Sequence, residues 1–505
     1  MLSFLFILGV LTIDLNICNG EYYAITRNPN LLDRWASAEI ELVSKLKISS
    51  ENISSMAVVT RYIQDFDDAF QTLNDYNETA PHRESSSAVT SNPVAVYRMI
   101  RRLAYQFPDL RTQVKPLDEG LFYRLHDNVR LETKDVQDTI AGILRILHVY
   151  NFPPSSFAEG NFGGVETGTK LKGIHCYEIG REALRLEFYT LSIEWLEVAL
   201  VKARNDSSID PGLAKSLLDV AILKHDEKLD SRGYYDPYYY NQKLVPILHY
   251  PNYTATRVKQ RDVLEYYYSR VNDTSTWYLN LKFTAICSRN SIQTAEEKSH
   301  LFCWYESKAD LYWLIGPLKM EFLAKDPDIV QIYEIIGERQ TEDLKKTVEE
   351  NLRQSSVVDS SPGAAPGAQM VSNIRTSVNG WITEYSHPTL YTVSKTMEKI
   401  TGLKVIGKTA SDAMQVATYS FGGHYEAHLD ALIVKGFGEE SAGERIATFL
   451  YYLEEPQLGG QTAFTEGRKW VANKWIRYFD QFSNRRCGLQ PVERYRIPAN
   501  NDCIP

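Results

Sequence analysis

His428 and Asp430 stand two residues apart in the run Gly422-Gly423-His424-Tyr425-Glu426-Ala427-His428-Leu429-Asp430. On an extended strand, side chains at i and i+2 share a face, so an imidazole and a carboxylate at this spacing can hold one metal ion. With a second histidine they would complete the two-histidine, one-carboxylate triad of non-haem iron centres, which leaves positions open for a cosubstrate and dioxygen. Oxidation of a carbon–hydrogen bond needs a redox metal, which excludes zinc from that role. No histidine follows His428. His424 shares its strand parity but would lie about 13 Å away along an extended strand. That is too far to share the ion without a sharp bend, so His424 is expected at the pocket edge.

The elements that must position the pair are β-rich. Met414 to Ser420 alternates as a strand and feeds the His424 segment, and Arg445 to Leu453 is a second β-rich run that ends near a turn at Gly459-Gly460. Upstream, Val330-Gln331-Ile332-Tyr333 reads as a strand and is followed by an acidic helical run to Leu352. Ser360 to Ala368 is rich in Pro and Gly and reads as a loop. Around Pro388 and Thr389 no clear period is read.

The N-terminal half is helical. Leu31, Leu32, Trp35, Ile40, Leu42, Val43 and Leu46 supply apolar positions in a helical stretch from Asn30 to about Leu73. Pro93 is placed to start a helix carrying Val96, Met99, Ile100 and Leu103. Ile140, Ile143, Leu144 and Leu147 form one face of Val136 to Tyr150. Such stripes suit an internal core first and self-association second. The Pro- and Gly-rich loop Asn151 to Gly168 marks a boundary, and Leu171 to Lys202 reads as an antiparallel helix pair similar to a tetratricopeptide unit. Beyond it lie Tyr234, Tyr235, Tyr238, Tyr239, Tyr240, Tyr250, Tyr253, Tyr266, Tyr267 and Tyr268. Their flat faces and hydroxyls suit a groove for a proline-rich peptide, with ordinary packing as the alternative.

Leu2 to Ile13 is almost wholly apolar and ends before Cys18-Asn19-Gly20, the pattern of a secretory signal with Glu21 as the mature start. No later stretch reaches membrane-spanning length. Sequons at Asn52, Asn77, Asn205, Asn252 and Asn272 fit glycosylation in the secretory pathway. Past the signal stand Cys176, Cys287, Cys303, Cys487 and Cys503, an odd set that leaves at least one free or intermolecular thiol. Cys287 and Cys303 are the expected local pair, and Cys176 is expected as a buried small hydrophobe. The net charge of -9 argues against a nucleic-acid partner.

The pair His428/Asp430 follows Gln415-Val416-Ala417-Thr418-Tyr419-Ser420. It precedes Glu444-Arg445-Ile446-Ala447-Thr448-Phe449-Leu450-Tyr451-Tyr452-Leu453 and Gly459-Gly460-Gln461-Thr462-Ala463-Phe464. This combination resembles the catalytic domain of collagen prolyl 4-hydroxylase alpha subunits, and the resemblance extends over nearly the whole chain. It implies a multidomain α+β fold. Its parts would be a signal peptide at 1–20, a helical dimerisation domain at 21–160 and a tetratricopeptide-like peptide-substrate-binding domain at 165–275. An incomplete double-stranded β-helix dioxygenase domain would follow at 315–490. It implies that His428 and Asp430 are iron ligands and that Tyr419 belongs to the 2-oxoglutarate pocket. The cofactor set it implies is Fe(II), 2-oxoglutarate and ascorbate. The implied partners are protein disulfide isomerase, collagen-like X-Pro-Gly peptides and a second alpha subunit, in the lumen of the endoplasmic reticulum.

One departure matters. The family carries a distal iron histidine, then a lysine that pairs with the remote carboxylate of 2-oxoglutarate, on later core strands. Here Phe464-Thr465-Glu466 runs directly into Gly467-Arg468-Lys469-Trp470-Val471-Ala472-Asn473-Lys474-Trp475, which resembles the family segment beyond both. Lys469 and Lys474 match that terminal segment and are not assigned to 2-oxoglutarate. Cys487 matches a terminal family cysteine whose usual partner is absent, with Cys503 as an alternative. Three readings stay open: a prolyl 4-hydroxylase alpha subunit, a catalytically inactive secretory peptide-binding or assembly subunit, and a sequence lacking an internal coding segment.

Overall fold

The computed structural model describes residues 29–49, 56–77, 89–114, 131–150, 152–232, 293–325, 328–358, 368–371, 374–420, 422–426, 428, 430, 443, 445–454, 460, 462 and 474–477. The expected signal peptide, the tyrosine-rich segment, most of the 360–368 loop, Cys287, Cys487, Cys503 and Lys469 lie outside these residues.

The N-terminal half is built from helices α1 (Pro29–Lys47), α2 (Ala57–Asn77), α3 (Pro93–Tyr105), α4 (Phe107–Gln113), α5 (Thr133–Tyr150), α6 (Pro154–Ala158), α7 (Gly173–Arg185), α8 (Tyr189–Asp206) and α9 (Pro211–Arg232). Asn92 caps α3 by accepting from the Val94 and Ala95 amides, and Pro93 occupies a first-turn position whose N–H would have had no helical partner. The apolar stripes face inward as their spacing predicts: Leu32, Trp35, Leu42 and Leu46 of α1 meet Val96, Met99, Ile100 and Leu103 of α3 and Ile140, Ile143, Leu144 and Leu147 of α5. The loop expected between Asn151 and Gly168 contains α6 and the short hairpin β1 (Asn161–Phe162) with β2 (Val165–Glu166). One apolar cluster continues past this loop into Cys176, Ile179 and Ala183 of α7 and Leu191, Trp195 and Ala199 of α8. Helices α7 and α8 approach closely at Gly180, where a Cβ would stand 2.8 Å from Leu196 Cγ.

Charged residues are buried in the same region. Arg102 makes a two-pronged ion pair with Glu39, with both N···O distances at 2.9 Å, and Tyr62 donates to the same carboxylate at 2.7 Å. Arg98 donates to Asp65 and Asp68, and Gln106 donates to Asp65. Cys176 is fully buried and burial pushes its thiol well up, whereas Cys303 is exposed and unbonded, contrary to the expected pairing with Cys287.

The C-terminal half is mixed. After helix α10 (Ala295–Ser299), strands β3 (Cys303–Glu306), β4 (Leu318–Lys325) and β5 (Asp328–Tyr333) form an antiparallel sheet in the order β3-β4-β5. Helix α11 (Glu338–Glu349) leads to β6 (Arg353–Gln354), and then to β7 (Val357–Val358) paired with β8 (Gln369–Met370). Strand β9 (Val378–Ile382) lies between β6 and β10 (Met414–Thr418), and β11 (Arg445–Phe449) pairs with β12 (Lys474–Arg477). Helix α12 (Pro388–Thr401) forms where the sequence around Pro388 and Thr389 shows no clear period. His387 caps it, Pro388 opens it, and Leu390, Val393 and Met397 pack with Leu344 and Val348 of α11, Met414 and Val416 of β10 and Ile476 of β12. The whole is a mixed α+β fold whose described sheets are small and unclosed. Among the described residues, no helix is long and apolar enough to cross a membrane.

Candidate metal centre

The site is held from below by the chain entering β9. Residues 374–376 pair antiparallel with 424–426: the Thr376 amide donates to the His424 carbonyl, the Glu426 amide donates to the Ile374 carbonyl, and Arg375 stands opposite Tyr425. His424 is fastened to this ribbon. Its amide donates to Thr376 Oγ1 at 3.0 Å, and its Nδ1 shares a second 3.0 Å hydrogen bond with that hydroxyl. This is a turn-locking role at the edge of the site.

Neither His428 nor Asp430 lies in a described strand. They converge nonetheless. His428 Nε2 is 3.3 Å from Asp430 Oδ1, while His428 Nδ1 shares a 2.7 Å hydrogen bond with the Glu426 carbonyl, leaving Nε2 directed at the carboxylate. Asp430 is buried, and among the described residues its Oδ2 has no hydrogen-bond partner. A buried carboxylate oxygen without a donor is costly, and a cation removes that cost. The donor set therefore fits two ligands of a metal ion. Among the described residues, no three His, Cys, Asp or Glu side chains are grouped to hold one.

The imidazole of His428 is stacked on Tyr425, with ring centroids 3.6 Å apart and planes 22° from parallel. Arg375 covers the Tyr425 ring at 4.6 Å and donates to Gln415 Oε1 at 2.8 Å and Ser377 Oγ at 3.3 Å. Burial raises the Tyr425 phenol above its ordinary value, and Arg375 only partly opposes this. Tyr419 is 45% exposed and its Cβ lies beside Gly423, so it flanks the turn into the site.

A second cluster supports Asp430 from behind. Arg445 donates to the Asp430 carbonyl at 3.3 Å and pairs with Asp412 at 2.9 Å, while Arg477 takes the other Asp412 oxygen at 2.7 Å. Burial lowers the Arg445 guanidinium, and Asp412 offsets this only in part. Sequence reasoning did not single out Arg375, Asp412, Arg445 or Arg477. Arginines inside otherwise apolar strand patterns were the available signal. Lys474 stands opposite Phe449 in the β11–β12 register, whereas Arg477 stands opposite Arg445, beside the cluster.

Residues 39–164 match the family described as prolyl 4-hydroxylase alpha-subunit, N-terminal region. The prolyl 4-hydroxylase subunit alpha-2 of Caenorhabditis elegans is 25% identical over 509 residues, covering 86% of this chain and 90% of that protein. Subunit alpha-1 of Gallus gallus is 24% identical over 462 residues, covering 80% and 88%. Subunit alpha-1 of Homo sapiens is 24% identical over 502 residues, covering 86% and 92%. Over most of its length the chain is similar to prolyl 4-hydroxylase alpha subunits. The matched stretch thus runs from within α1 through β1 and ends just before β2. The prolyl 4-hydroxylase relatives also span the segment that carries His428 and Asp430, to judge by the share of both chains that aligns.

Proposed function

We propose that this chain is a procollagen-proline 4-dioxygenase alpha subunit that hydroxylates proline in X-Pro-Gly peptides with 2-oxoglutarate and dioxygen. The observation that carries the reading is the 3.3 Å approach of His428 Nε2 to Asp430 Oδ1, with the buried Asp430 Oδ2 left without a hydrogen-bond partner among the described residues, in a chain similar to this family. His428 and Asp430 would hold Fe(II), with Tyr419 at the 2-oxoglutarate pocket. The iron, once bound, supplies the two-electron oxidation of a carbon–hydrogen bond, with ascorbate as the accompanying reductant. The protein's own part is positional. Tyr425 and Glu426 orient the imidazole, Arg445 holds the Asp430 backbone, and the Arg375 stack closes one side against water.

In this reading residues 21–160 form the dimerisation domain, 165–275 the tetratricopeptide-like domain that receives collagen-like peptides, and 315–490 a double-stranded β-helix lacking core strands. Protein disulfide isomerase is the partner subunit, and the lumen of the endoplasmic reticulum is the site of action. Asn205 is exposed in the last turn of α8, which suits glycosylation there.

A second reading, a catalytically inactive peptide-binding or assembly subunit, is favoured by one feature. No histidine follows His428, and β11 pairs directly with β12 across the junction where the family places its distal ligand. The test is the full chain co-expressed with protein disulfide isomerase and given a Pro-Pro-Gly repeat peptide, Fe(II), 2-oxoglutarate and ascorbate. Hydroxyproline formed in step with succinate supports the dioxygenase. Peptide binding without succinate or hydroxyproline supports the second reading and sinks the first.

A further inference from the structure

Gly142 lies in the interior of α5, where glycine is unfavourable relative to alanine and so asks for a packing reason. The reason lies 280 residues away. Gly422, the residue that opens the turn into His424, rests on the α5 backbone: a Cβ there would stand 2.5 Å from the Gly142 carbonyl oxygen and 2.7 Å from its Cα. Gly422 also has φ +66°, a conformation that favours glycine. One turn along the same helix, Arg145 donates from its guanidinium to the Gly422 carbonyl. Two backbones therefore meet without side chains between them, and a charged donor fastens the contact.

The geometry points to α5 as a positioning element for the metal segment, with Gly142 and Arg145 as the positioning residues. Gly422 leads into Gly423, whose amide closes the turn on Ser420, and then into His424 and Glu426, which pair with the ribbon entering β9. His428 receives its orientation from the Glu426 carbonyl. A shift of Gly422 is thus carried through the turn to the imidazole. At its other side α5 packs against α7, where Gln137 donates to Glu182. The N-terminal helical region reaches the catalytic segment directly, through one helix. The link to metal binding rests on the function proposed above, whereas the contact itself does not.

The test is hydrogen–deuterium exchange on the full chain, read at the Gly423, His424 and Glu426 amides. None of these amides bonds to α5, so a local contact of Arg145 alone would not move them. Arg145→Ala removes the donor. Gly422→Asn adds a Cβ while tolerating positive φ, and Arg145→Lys keeps a cationic donor. The expected result is exchange about tenfold faster in the first two variants, the effect of losing one charge-assisted hydrogen bond, with Arg145→Lys close to the parent. The α3 amides should not change. Exchange within twofold of the parent in Arg145→Ala overturns the inference, as does an equal rise in α3. A Co(II) titration followed by visible absorption separates the two proposals. Affinity about tenfold weaker in Arg145→Ala extends the positioning to the metal. A parent chain that takes up no Co(II) yet shows the exchange response supports the positioning and removes the metal reading.

Discussion

The guanidinium of Arg375 lies 4.6 Å from the centre of the Tyr425 ring, whose other neighbour is the stacked imidazole of His428. A cation over an aromatic face and a ring against a ring thus help to fix one candidate ligand. Among the described residues no carboxylate pairs with Arg375, so its positive charge is compensated only by Gln415, Ser377 and the aromatic face.

The stack predicts a distinct signature at His428. Its ring protons should be shifted upfield by the Tyr425 ring current in histidine-labelled NMR spectra. Tyr425→Phe should keep that shift, because only the hydroxyl is lost, and Tyr425→Ala should abolish it. An unchanged His428 resonance in Tyr425→Ala would show that the rings are not stacked in solution.

Acid should weaken the helical half through Asp65. Burial alone would raise this carboxyl, but Arg102 and Arg98 outweigh it and hold it well below the usual carboxylate range. A depressed folded-state value means the stabilisation is fully present above the unfolded value of about 3.9 and is lost as pH falls through the folded one. Asp65→Asn should cost about 2–3 kcal/mol at neutral pH. It should also flatten the decline below about pH 4 in urea midpoints measured across pH 2 to 7.

Arg102 and Glu39 are both almost fully buried, at 3% and 2% exposed. Arg102→Met alone strands the carboxylate and should cost about 3–5 kcal/mol. The triple variant Glu39→Leu, Tyr62→Phe, Arg102→Met replaces the whole group with apolar volume and should recover more than half of that loss. Calorimetric unfolding of the two variants checks this, and a triple variant no more stable than the single one would contradict it.

At Gly380, the middle of β9, an added Cβ would stand 2.2 Å from Val348 Cγ2 of α11. Gly380→Ala should therefore destabilise the C-terminal half by about 1–3 kcal/mol. Val348→Ala opens the space, so the double variant should lose less than the sum of the two single losses. Additive losses in denaturant titrations would refute the contact.

Local periodicity settled much of this molecule. The stripes of α1, α3 and α5, the alternation of β10 and the helix start at Pro93 are short-range patterns, and each produced the element its spacing demands. Helix α12 carries its own stripe, Leu390, Val393, Met397 and Ile400 after Pro388, although the residues next to Pro388 show no clear period by themselves. The similarity to prolyl 4-hydroxylase alpha subunits was equally legible, because it rests on residue order. The approach of His428 to Asp430 is expected from strand alternation, yet neither residue lies in a described strand. Tertiary contacts draw the two side chains together: Thr376 on His424, Arg445 on the Asp430 carbonyl, and Tyr425 between Arg375 and His428. The seat of Gly422 on Gly142 was beyond any pattern in the chain. A glycine inside a helix and a glycine in a turn carry no mark of each other, since what joins them is the absence of side chains at one point in space.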